Sequence, residues 1–331
     1  MRWCLLILFL VTGCPAKRGA TPTASGVGCP AASGVYIASY LTPDEGAAGQ
    51  RHTGWVLPLH DRIVETLDGV PEYAALDAAA ASAAGVPAPP TTLWLLAPDG
   101  PCKATIGSYY AAAIDAPTKN IAYGVELTGC AAPPDDSDAS AIALVSDASP
   151  TQCKLVPPRP VAQRLGDADR SGAWSRPTKE TPMPPAFAAV VPLRDCIAPG
   201  CEALWSVAQV DVAGKPVAYA GAVNWWTIPD GATPQTQCEW RVDTFSGFFV
   251  VGPDGAAVQV TEGQNHPLLL SGVLADASGP KVLLAAGPGE YTAYDLANGR
   301  ATVGRHLVWL VPHPDSYTAV DRLGPVCGAA P

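Results

Sequence analysis

Charge is scarce in this sequence. Of 331 residues only 15% are Asp, Glu, Lys or Arg, and 30 acidic side chains outnumber 20 basic ones, for a net charge of −10. That balance excludes a nucleic-acid partner, which needs a cationic face to displace counterions from phosphates. Long apolar runs are missing as well, and no stretch approaches the ~20 residues that a membrane-spanning helix requires. Catalytic grammar is equally thin: there is no G-x-S-x-G elbow, no H-E-x-x-H pair, no phosphate loop and no dinucleotide fingerprint. The five histidines (His52, His60, His266, His306 and His313) are scattered. No two cysteines have C-x-x-C spacing, which argues against a closed structural zinc site. No internal repeat keeps a fixed period, which counts against a regular propeller.

Turn-forming residues are abundant instead, with 35 Pro and 32 Gly. The apolar fraction of 48% is too high for a disordered chain and sufficient to bury a core. Tyr123, Val125 and Leu127 alternate with Gly124, Glu126 and Thr128, and Ala208, Val210 and Val212 alternate with Gln209 and Asp211. Such period-two runs between turns are half-buried strands. Pro98-Asp99-Gly100, Pro229-Asp230-Gly231 and Pro253-Asp254-Gly255 share one turn chemistry, in which Pro presets the first central dihedral and Gly takes the left-handed position. The last of them joins Phe248–Val251 to Ala256–Val260 as a hairpin. Asn298-Gly299 and Ala213-Gly214 supply further turns. One helix is expected over about 71–84, with Pro71 at its start and Gly85 past its end. The fold class is therefore mainly β: an antiparallel meander or sandwich-like body with one short helix in an α+β N-terminal part.

The chain divides into residues 1–13, 14–34, 35–156, 157–190 and 191–331. Met1-Arg2-Trp3-Cys4, the apolar run Leu5 to Val11, and small residues before Cys14 have the order of a secretory signal. Val11-Thr12-Gly13-Cys14 resembles the lipobox of bacterial lipoproteins. The resemblance implies that residues 1–13 are removed and that Cys14 is lipidated, anchoring the protein to a membrane. Pro15 stands where that class carries an inner-membrane retention Asp, so the implied address is the outer membrane. More than one acyl chain gives stable anchoring. Residues 14–34, rich in Gly, Ala, Ser, Thr and Pro, read as a flexible tether. Residues 35–156 form the α+β part and 191–331 the antiparallel part. Between them, 157–190 is a proline-rich linker or surface excursion.

Eight cysteines remain after Cys4 and Cys14: Cys29, Cys102, Cys130, Cys153, Cys196, Cys201, Cys238 and Cys327. In an exported chain an even number implies up to four disulfides, whose pairing the sequence leaves open. Cys29 is expected to pin the end of the tether to the body. Asp167, Asp169 and Ser171, followed by Gly172, place oxygen donors at alternate positions before a sharp turn, the opening of a calcium loop. The bidentate acid of such loops is missing, since Thr178 occupies the twelfth position. Calcium is thus the one candidate cofactor. Trp225 and Trp226 are adjacent and point to opposite faces of a strand, so one enters the core while the other could stack on a sugar or anchor a protein partner. His60-Asp61 and His313-Pro314-Asp315 each offer an imidazole near a carboxylate, but sequence neighbours on a strand seldom face each other. These features point to a binding or structural module at the cell envelope, with a protein or glycan partner. The alternatives are a hydrolase of an envelope polymer and a calcium-stabilised scaffold.

Overall fold

A computed structural model describes residues 27–42, 52–97, 100–114, 119–133, 139–165, 179–191, 201–227, 241–260, 269–287 and 290–307. They are mainly strands, all paired antiparallel, in three sheets. The first sheet holds β1 (Val35–Leu41), β2 (Gly54–Ile63), β3 (Tyr73–Leu76), β4 (Leu93–Ala97), β5 (Gly100–Ile114), β6 (Asn120–Thr128) and β7 (Ala139–Val145). Their order is β3-β5-β4-β7-β1-β2-β6, and β5 also pairs with β6, so six strands close into a barrel with β3 added outside. Alternate side chains of all six barrel strands meet in one cluster that includes Tyr40, Trp55, Leu57, Leu95, Val125 and Ala143. The barrel is a filled core.

The second sheet has the order β18-β17-β16-β15-β8, from β8 (Lys154–Val156), β15 (Leu269–Asp276), β16 (Gly279–Gly287), β17 (Glu290–Ala297) and β18 (Arg300–Leu307). The third runs β10-β9-β11-β12-β13-β14, from β9 (Arg159–Leu165), β10 (Lys179–Thr181), β11 (Cys201–Val212), β12 (Lys215–Thr227), β13 (Arg241–Val251) and β14 (Ala257–Gln259). Strand alternation divides β16 between two cores. Val282, Leu284 and Ala286 pack on Val35, Ile37, Ile142 and Leu144 of the barrel wall, while Leu283 and Ala285 pack on Val210, Ala220 and Phe248 of the third sheet. The second sheet is thus the middle layer between barrel and third sheet. The outer face of the third sheet is covered by the short helix α2 (Pro185–Ala188), whose Phe187 is fully buried. Gly221 makes room for that ring, because a Cβ there would lie 2.4 Å from Phe187 Cζ.

The expected helix forms later and shorter than 71–84. Helix α1 covers Ala78–Ala83, capped by Asp77, whose Oδ1 accepts the Ala80 N–H at 2.7 Å, and Gly85 follows at φ 80°. Tyr73–Leu76 instead form β3, because pairing with Tyr109–Ala112 of β5 overrides the local helical preference of an alanine-rich run. The proline-rich stretch 157–190 contains β9, β10 and α2, with residues 166–178 outside those described. Four of the five prolines in described strands, Pro58, Pro160, Pro216 and Pro280, lie at register shifts, where the ladder is already broken, while Pro101 pairs with Leu96 near the start of β5. Pro253-Asp254-Gly255 turns β13 into β14, with Gly255 at φ 82°. Ala213-Gly214 and Asn298-Gly299 are tight turns with both residues at positive φ. No described helix is long and apolar enough to cross a membrane.

Candidate functional site

Two features stand out from the packed layers: a polar stack on the barrel's outer wall, and a clamp where the N-terminal segment enters the body. The stack begins at Gly124 of β6, which faces Tyr110 of β5 across the ladder. A Cβ on Gly124 would lie 2.8 Å from Tyr110 Cε1 and 2.0 Å from the Leu57 carbonyl oxygen, so only glycine leaves a seat for the tyrosine ring. Tyr110 is fully buried, beside Leu41, Val56, Ala112 and Tyr73. Tyr73 stacks on Tyr110 at 5.3 Å and 14°, and His52 stacks on Tyr73 at 5.3 Å and 15°. His52 lies two residues before the start of β2, and Gly54, at φ 146°, gives its ring space: a Cβ there would come within 3.0 Å of His52 Nε2.

Glu126, on the outward face of β6, flanks the stack. Tyr73 Oη donates to Glu126 Oε1 at 2.8 Å, and His52 Nδ1 lies 3.4 Å from the same oxygen. The His52 and Glu126 side chains are 26% and 22% exposed, so the stack opens to solvent only at its outer end. Burial pushes the Tyr73 phenol well up, and both its bond to Glu126 and the carboxylate charge push it further. Burial likewise raises Tyr110, with Tyr73 adding to the shift. Both phenols are therefore neutral donors at ordinary pH. The Tyr110 hydroxyl has no hydrogen-bond partner among the described residues. The arrangement brings an imidazole nitrogen and a phenol oxygen beside one carboxylate oxygen.

The clamp is built by Cys29, which is joined to Cys153 by a disulfide. The Cys29 N–H bonds to Asp276 Oδ2 at 3.2 Å, and the Ala32 N–H to Asp295 Oδ1 at 2.7 Å. Ala32 opens a single 3-10 turn, Ala32–Gly34, and is fully buried in the core between barrel and middle sheet. Gly304 of β18 provides its seat, since a Cβ there would meet the Ala32 Cβ at 2.4 Å. Arg305 of β18 lies over the Tyr36 ring at 3.9 Å, a second link from the middle sheet to β1.

The sequence-derived candidates fall as follows. Cys102 bonds to Cys130, tying β5 to the segment after β6. Cys14, Cys196, Cys238 and Cys327 lie outside the described residues, and Cys201 begins β11 with its side chain outside them. Asp167, Asp169 and Ser171 also lie outside, as does His313. Trp225 is 6% exposed in the core beneath α2, with no partner for its Nε1 among the described residues, so it belongs to the core and not to a surface binding site. The Trp226 side chain lies outside the described residues. His60 stacks on Tyr123 while Asp61 accepts from Asn120 at 3.1 Å, so the two neighbours serve different contacts. The His52–Tyr73–Glu126 stack was missed, because its members are remote in sequence. The available signal was Glu126, the one charged residue in the β6 run 120–128. Comparison with protein-family models, curated proteins and solved structures finds no match to this chain.

Proposed function

We propose that this chain is a cell-envelope lipoprotein, lipidated at Cys14 and held at the outer membrane, whose body serves as a rigid binding or structural module for an envelope protein or glycan. The observation that carries the reading is the clamp. Its first bond, Cys29–Cys153, lies fifteen residues after Cys14, and an extended chain of that length spans at most roughly 50 Å. A pull on the anchor would enter at the junction of barrel and middle sheet, through a covalent bond and two partly buried hydrogen bonds, rather than at a free end. A module displayed on a lipid needs that, because the body must resist peeling when its anchor is loaded. The excess of 30 acidic over 20 basic side chains, widened when Arg2 leaves with residues 1–13, keeps the anchored chain off anionic headgroups.

The test is labelling with a palmitate analogue followed by membrane fractionation. The intact protein should incorporate label and sediment with the outer membrane, and Cys14→Ala should abolish label and release it to the soluble fraction. A wild-type protein that is unlabelled and soluble contradicts the proposal.

A further inference from the structure

We draw no further inference here: the strongest candidate, the pair of sandwich edge strands β14 and β18 with Val258 and Val303 exposed on them, carries none because nothing in the structure shows what covers these apolar side chains.

Discussion

In the barrel, β5 pairs with both β4 and β6, so each of the six strands has a neighbour on either side; the sandwich sheets end instead in β10 and β14, and in β18 and β8. The two regions therefore bury themselves differently. The barrel supplies both walls of its own core. The sandwich borrows cover: the middle sheet uses the barrel wall, the third sheet uses α2, and β18 has the 3-10 turn of the N-terminal segment packed on it. Closure leaves the barrel's outer wall free to carry a polar stack, whereas the sandwich spends its faces on packing. The disulfides divide in the same way, with Cys102–Cys130 inside the barrel unit and Cys29–Cys153 joining the N-terminal segment to the chain between β7 and β8.

Removing the disulfides breaks this contrast most severely. Cys29 and Cys153 are 124 residues apart and Cys102 and Cys130 are 28 apart. Chain entropy then assigns losses of about 5 and about 4 kcal/mol to the paired Ser variants. Urea unfolding should rank Cys29→Ser/Cys153→Ser as the less stable, with barrel fluorescence and global unfolding separating only in that variant. Equal midpoints would mean that the long link constrains little.

Two glycines sharpen the comparison. Gly124→Ala drives a Cβ into the Leu57 carbonyl oxygen at 2.0 Å, a backbone atom that cannot step aside, and should cost about 3 kcal/mol or more. Gly221→Ala meets the Phe187 ring and should cost about 1–3 kcal/mol. The second loss should be partly recovered in Gly221→Ala/Phe187→Leu, while Gly124→Ala/Tyr110→Ala should recover nothing. Recovery in the barrel pair would show that the ring, not the backbone, sets the constraint.

The smallest effect concerns acid. Burial pushes the Asp276 carboxyl up, but the Ser278 hydroxyl and N–H, the Cys29 N–H and the Lys281 charge together hold it below its ordinary value of 3.8. A carboxyl lowered in the folded state contributes stability above its unfolded pKa and loses it as pH falls through the folded one. Wild type should therefore exceed Asp276→Asn in melting temperature at pH 7, with the gap closing below about pH 4. A gap independent of pH would remove the carboxylate from the clamp.

Much of the sandwich is legible in the sequence, because its meanders follow chain order and are joined by local turns such as Pro253-Asp254-Gly255 and Asn298-Gly299. Closure of the barrel is not. It depends on β5 meeting β4 and β6 at different heights; the added strand β3 was hidden too, because an alanine-rich run gives up helix for an edge pairing. The linker reading of 157–190 rested on its prolines, yet Pro160 takes part in β9 at a register shift, where a missing N–H costs no ladder bond. The polar stack was hidden for a related reason. Glu126 is visible as a charge in a strand, but that His52 and Tyr73 reach it follows from strand order alone, and two unrelated glycines make the room.

The disulfide map of the native protein tests the central claim most directly, since both the anchored-module reading and the division between barrel and sandwich pass through the clamp. Protease digestion without reduction, followed by mass spectrometry, should yield the Cys29 peptide linked to the Cys153 peptide, and the Cys102 peptide linked to the Cys130 peptide. A free Cys29, or Cys29 joined to any cysteine other than Cys153, would contradict it.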